Sequence, residues 1–160
     1  MTQVVRTDDG IAIEYKVFGS GSHTVLFLHG WGNAASAWDD FITTQVNLAD
    51  LRCIAASYRG HGGSGEARSG YTHERFAHDM FAVADAVGAE RFVMVGFSMA
   101  GKFGRYLAYL HSRRVLGQVQ IAPAGPEKPH VPREAFIPWL EAATHPQRFR
   151  EILLPFTRQP

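Results

Sequence analysis

Residues 91–109, RFVMVGFSMAGKFGRYLAY, decide the fold. They open with Phe92-Val93-Met94-Val95, an apolar run with the length and composition of a buried strand. Gly96-Phe97-Ser98-Met99-Ala100-Gly101 follows at once. The next segment has helical spacing, with Met99, Phe103, Tyr106, Leu107 and Leu110 on one stripe. Strand, tight turn and helix place Ser98 at the turn itself, its hydroxyl at the positive end of the helix dipole. Small residues at Gly96 and Ala100 let the returning helix pass close over the strand. That is the layout of a nucleophile elbow.

Two other readings compete for the same residues. Gly96 to Lys102 spells G-x-x-x-x-G-K, a phosphate-binding pattern, but Phe103 stands where that motif needs a hydroxyl to hold magnesium. Ser98 also reads as a plain helix cap, a role serine often fills. Taken alone, the small-x-Ser-x-small pattern does not separate cap from nucleophile.

The upstream chain bears on that choice. Residues 3–7 read as a strand, Asp8-Asp9-Gly10 as a hairpin turn, and residues 11–18 alternate, with Ile11, Ile13, Tyr15 and Val17 on one face. Residues 24–28 (TVLFL) are apolar without alternation, as in a strand covered on both faces. They end in His29-Gly30-Trp31-Gly32, where glycines let backbone N–H groups turn toward a bound oxygen. A helix over about residues 36–47 and a buried strand over 52–57 come next.

Tyr58-Arg59-Gly60-His61-Gly62-Gly63-Ser64-Gly65 contains G-x-G-x-x-G, with Asp79 about twenty residues on, as in a dinucleotide fingerprint. Those glycines do not open a helix directly, so the segment reads as a flexible connection. The helix begins near Thr72, with Phe76, Met80, Val83, Ala84 and Val87 as its buried stripe and Gly88 at its C-terminal cap. Residues 115–121 form a further strand, and Pro123, Pro126, Pro129 and Pro132 break regular structure after it.

Composition narrows the class. A chain of 160 residues, 46% hydrophobic and 19% charged, suits one globular domain with a real core. A net charge of +1 shows no bias toward nucleic acid or anionic membrane. Cys53 is the single cysteine, which rules out an intrachain disulfide and suggests a buried thiol. With no signal-peptide pattern and no membrane-length apolar run, the expected compartment is the cytoplasm.

HGWG after one strand, SYRGHGGSG after the next and GFSMAG after a later one, in that order, resemble the α/β-hydrolase family. The resemblance covers residues 4–126. It implies a mostly parallel sheet with helices on both faces and an antiparallel N-terminal hairpin. The core would span residues 1–125, and residues 126–160 would begin a helical cap. Ser98 would be the nucleophile, with the backbone N–H groups of Trp31 and Met99 as oxyanion donors. Phe136, Trp139 and Phe149 would line the substrate pocket from the cap.

The implied activity is cofactor-independent and metal-free hydrolysis of small carboxylic esters or lactones. A cofactor-free haloperoxidase or perhydrolase, and a non-catalytic ligand-binding relative, are the alternatives. In the family His29 and His61 are structural, because the triad acid and histidine follow the nucleophile. Here Ala100 replaces a usual glycine and Ser57 a common aspartate. After Ser98 only His111, His130 and His145 remain, none placed as a base, and Glu127 reads as a solvated loop residue. The chain is therefore expected to be the N-terminal portion of a hydrolase, inefficient alone and prone to self-association through uncovered core surface.

Overall fold

The computed structural model describes residues 1–124 and residue 147. Six strands form one sheet: β1 (Thr2–Arg6), β2 (Ala12–Phe18), β3 (His23–Leu28), β4 (Leu51–Ala56), β5 (Phe92–Phe97) and β6 (Val115–Ile121). Their order is β1-β2-β4-β3-β5-β6; β1–β2 and β2–β4 pair antiparallel and the remaining pairs parallel. The antiparallel hairpin and parallel centre are those the sequence implied.

Strand alternation divides the core into two layers. Leu26 and Leu28 of β3 point to the face covered by α2 (His73–Ala86) and α3 (Met99–Leu110), where they join Ile54, Met80, Phe92 and Met94. Phe27 points the other way, against Ala35, Trp38, Ile42, Cys53 and Ala55 beneath α1 (Asp39–Gln45). Each large aliphatic side chain so buried contributes about 1.5–3 kcal/mol. A run apolar at every position is what a strand covered on both faces requires.

Register fixes where function can sit. Leu28 pairs with Ala56 on one side and Gly96 on the other, so β3, β4 and β5 end level. The chain leaves β3 toward β4 on one side and returns to β5 on the other. Open α/β sheets bind ligands at the carboxyl ends of the strands at such a reversal. The loops after β3 and β5 face each other there.

Three readings need correction. The helix expected over residues 36–47 is a 3₁₀ turn, Ala35–Trp38, followed by the shorter α1. On α3 the side toward the sheet is Ala100, Gly101 and Gly104 with Leu107, the one residue of the expected stripe that is fully buried. Met99, Phe103 and Tyr106 are only partly buried on its flank, and Leu110 is exposed. Over residues 100–104 the helix lies so close to the sheet that small residues stand between; a Cβ built on Gly104 would overlap the end of Met94.

The 58–65 segment is not a loose connection. Gly65 N–H donates to Ala12 O at 2.7 Å, Gly63 N–H to Glu14 Oε2 at 2.8 Å, and Gly60 N–H to Gly65 O at 3.0 Å. Arg59 is wholly buried and paired with Asp79, so Asp79 holds a guanidinium and not a ribose. The helix does begin where expected, with Thr72 Oγ1 accepting from Arg75 N–H.

Candidate active site

Ser98 sits between β5 and α3 with φ 53° and ψ −112°. A non-glycine residue there costs on the order of 1–3 kcal/mol and persists only where its surroundings impose it. They do so here from β6. Ser98 N–H donates to Ile121 O at 3.0 Å, and Ser98 O accepts from Ala124 N–H at 2.8 Å and Gly101 N–H at 3.0 Å. The hydroxyl makes no capping bond to the helix. A serine held in a strained turn and not used as a cap is unlike Thr72, which caps α2.

Gly96 and Ala100 explain how the turn closes. A Cβ on Gly96 would lie 3.1 Å from the carbonyl of Ala100, tighter than ordinary packing allows. The extra methyl of Ala100, fully buried, is accommodated opposite a glycine that has none. Gly101 is equally constrained, because a Cβ there would overlap Pro123 in the segment that holds the Ser98 carbonyl.

The 29–32 loop reaches the same place. A Cβ on Gly30 would lie 3.3 Å from Ser98 Cβ and 3.0 Å from Phe97 Cδ1. Gly32 has φ 69°, which turns the loop back. Trp31 and Met99, the expected oxyanion donors, thus stand in segments on either side of Ser98. Met99 is the first residue of α3, where amides lack helical acceptors.

His29 anchors the loop. Tyr58 N–H donates to Nε2 at 3.2 Å, so Nδ1 carries the proton and donates to Gly30 O at 2.7 Å. Burial lowers its pKa from 6.5 to about 4. Neutral and bonded through both nitrogens, it positions its neighbours and is no base. His61 lies against it, 5.3 Å between rings, with Nδ1 3.2 Å from Arg59 O. His111 closes α3 and lies tilted against Phe81, at the opposite end of the helix from the elbow.

Ser57, where an aspartate was noted as common, is buried. Its hydroxyl donates to Glu14 Oε2 at 2.7 Å and accepts from Ala35 N–H at 2.9 Å. The Glu14 carboxylate from β2 therefore stands beside Ser57, a pairing across 43 residues with no local signal.

A cavity of about 250 Å³ opens beside the elbow, walled by His29, Gly30, Asn33, Ala37, Trp38, Phe97 and Ile121. Sequence reading did not single out Trp38 or Ile121 as lining residues, because their places, at the start of a helix and the end of a strand, carry no sign of a cavity. Phe136, Trp139 and Phe149, with Glu127, His130 and His145, lie outside the described residues. A larger groove of about 540 Å³ between α2 and α3 includes Lys102 and Tyr106 but neither Ser98 nor the 29–32 loop. Among the described residues no cluster of His, Cys, Asp or Glu is placed to hold a metal ion. No described helix is long and apolar enough to cross a membrane.

Comparison with known proteins adds four findings. The family model described as alpha/beta hydrolase fold matches residues 23–160. A non-heme chloroperoxidase from Kitasatospora aureofaciens is 32% identical over 124 residues, covering 77% of this chain and 44% of that protein. A bifunctional esterase/perhydrolase from Acinetobacter calcoaceticus is 34% identical over 98 residues, 61% of this chain and 35% of that protein. The chain spans less than half the length of these relatives. A crystal structure of an alpha/beta hydrolase from Novosphingobium aromaticivorans superposes with a TM-score of 0.67 at 27% identity, covering 75% of this chain and 43% of that one.

Proposed function

The chain belongs to the α/β-hydrolase family, and on that premise we propose that Ser98 is the nucleophile of a hydrolase acting on small carboxylic esters or lactones. The observation that carries this is the strained, non-capping Ser98 packed against Gly30 of the 29–32 loop. Ser98 Oγ attacks the carbonyl carbon, a tetrahedral oxyanion forms, and its collapse expels the alcohol and leaves an acyl-serine. Water then attacks the acyl-serine, releasing the acid and the hydroxyl.

The oxyanion is held by the N–H groups of Met99 and Trp31, which matter because charge develops on that oxygen only during reaction. Loss of one such donor typically costs ~10²–10³ in rate. The base that takes the Ser98 proton comes from sequence outside the described residues. His29 is excluded from that role by its two hydrogen bonds. No cofactor enters any step, and the protein acts in the cytoplasm.

A second reading is favoured by the names of the relatives. Hydrogen peroxide in place of water would attack the same acyl-serine and release a peracid. Rates on p-nitrophenyl acetate, with and without peroxide, test both in the full-length protein. Ester cleavage abolished in Ser98→Ala supports the hydrolase, and peroxide- and halide-dependent bromination of a dye supports the perhydrolase. Unchanged cleavage in Ser98→Ala would contradict both.

A further inference from the structure

The loop that carries Trp31 hangs by both ends from two consecutive residues. At its start Tyr58 N–H donates to His29 Nε2 at 3.2 Å, and at its end Ala35 N–H donates to Ser57 Oγ at 2.9 Å. Ser57 is fully buried, and its hydroxyl has one proton to give. With Ala35 donating to the oxygen, that proton goes to Glu14 Oε2, 2.7 Å away. The same carboxylate oxygen accepts from Gly63 N–H at 2.8 Å. Main-chain bonds repeat the link: Ser57 N–H donates to Glu14 O, and Ser64 Oγ accepts from Glu14 N–H and donates to Ser57 O, each at 2.9 Å. The junction is tight, since a Cβ on Gly62 would lie 2.6 Å from both Glu14 Oε2 and Ser57 Oγ and 2.9 Å from Ala34 Cβ. Main-chain pairing already joins β2 to β4, so the sheet does not need this carboxylate to close. An aspartate is common at position 57 in the family; here the carboxylate stands on β2 and reaches the loop through a serine hydroxyl.

We propose that Glu14 is a positioning residue for the reaction: through the Ser57 hydroxyl it fixes Ala35, and so sets where the Trp31 N–H stands relative to Ser98. Glu14 touches neither substrate nor the reacting atoms in this assignment. Without its carboxylate, Ser57 keeps a buried O–H with no acceptor, and the hydroxyl that receives Ala35 N–H is no longer held. The loop passes close to the elbow, where a Cβ on Gly30 would lie 3.3 Å from Ser98 Cβ, so loop placement bears directly on the oxyanion. A donor that acts mainly in the transition state is sensitive to such a shift, and misplacement by about 1 Å can cost ~10² in rate. Neither Glu14, Ser57 nor Ala35 lines the cavity beside Ser98, so substrate binding in the ground state should be spared. The inference rests on the reading of Ser98 as nucleophile and Trp31 as an oxyanion donor.

The test assays the full-length protein on p-nitrophenyl acetate as wild type, Glu14→Ala, Glu14→Gln and Ser57→Ala. Rates are counted per site labelled at completion by a fluorophosphonate, so that unfolded protein does not enter. Glu14→Ala and Ser57→Ala should each lower kcat about 10- to 100-fold while KM stays within about twofold, the pattern of an interaction made in the transition state. Glu14→Gln keeps an acceptor for the Ser57 hydroxyl and should recover most of the loss. Amide hydrogen exchange gives a reading independent of turnover. In Glu14→Ala the Ala35 N–H should exchange about 10-fold faster or more, while the sheet amides of Leu26 and Met94 keep their wild-type rates. An unchanged kcat in Glu14→Ala, a loss that falls on KM instead, Glu14→Gln as impaired as Glu14→Ala, or unchanged exchange at Ala35 overturns the assignment. Should Glu14→Ala fail to fold, Ser57→Ala, which cuts the same link with a smaller change, decides. Ester cleavage that survives Ser98→Ala would sink the nucleophile reading. A kcat unmoved by Glu14→Ala, where cleavage does require Ser98, sinks the positioning role alone.

Discussion

Arg59 Nε lies 2.6 Å from Asp79 Oδ2, and neither side chain is exposed at all. A second bond, from Nη2 to Asp79 Oδ1 at 2.7 Å, makes the pair bidentate, and Asp9 from the β1–β2 turn adds a third contact at 2.9 Å. The cluster ties the hairpin, the 58–65 segment and α2 into one unit below the carboxyl edge of the sheet. Removing one partner of such a pair strands a buried charge. Asp79→Ala should cost about 3 kcal/mol in urea denaturation, the lower end of the usual range because Asp9 remains. Replacing both residues, Arg59→Met with Asp79→Leu, should cost less than the single change. A loss under about 1 kcal/mol for Asp79→Ala would contradict the role of the pair.

Two glycines of α3 make a paired prediction. Gly104→Ala gains up to about 1 kcal/mol of helix propensity and meets only the far end of Met94, which can turn aside. It should leave stability nearly unchanged. Gly101→Ala meets the ring and backbone of Pro123, so it should cost about 1–3 kcal/mol by overpacking. Because residues 122–124 hold the Ser98 carbonyl, Gly101→Ala should also slow modification of Ser98. Equal behaviour of the two variants would contradict the tight approach of helix to sheet.

Acid should weaken the fold in two stages. Below pH 6.5 the unfolded chain takes up a proton at His29 that the folded chain refuses until about pH 4. Stability held above pH 6.5 is therefore lost as pH falls toward 4, by on the order of 3 kcal/mol. His73, also lowered by burial, adds in the same direction. Below the usual carboxylate range Asp9 and Asp8 follow, because hydrogen bonds from Arg59 and Arg75 hold their pKa values down. Urea midpoints at pH 7.5, 6.0 and 4.5 read the first stage. His29→Gln should be less stable at pH 7.5 and flatter across the series, whereas a flat wild-type profile would contradict burial of a neutral His29.

Glu14 and Ser57 form a coupled pair, 2.7 Å apart between Oε2 and Oγ. Ser57→Asp alone would set two carboxylates against each other and should lower stability by about 1–2 kcal/mol. Adding Glu14→Gln restores a donor facing the new aspartate and should recover most of that loss. A strictly additive double-mutant cycle would show that the two side chains do not interact.

The sheet and the elbow were legible because their signals are local. Unbroken apolar runs at residues 24–28 and 92–95 and a serine between small residues define strand, turn and helix without long-range information. Pairing across sequence was not legible. Nothing near Arg59 announces that Asp9, 50 residues earlier, will meet it, and the glycines around it suggested looseness. The stripe on α3 misled for a related reason, since helical spacing marks an apolar face but not how closely the sheet approaches it. Trp38 packs into the core beneath α1 and also borders the cavity, a double placement that only the assembled loops create.

The most direct measurement concerns Ser98 itself. The full-length protein is treated with a fluorophosphonate and digested, and the phosphonylated residue is located by mass spectrometry. A single adduct on the peptide containing Ser98, absent from Ser98→Ala, is the predicted result. An unmodified Ser98 beside an adduct elsewhere, or labelling undiminished in Ser98→Ala, would contradict the assignment of the nucleophile.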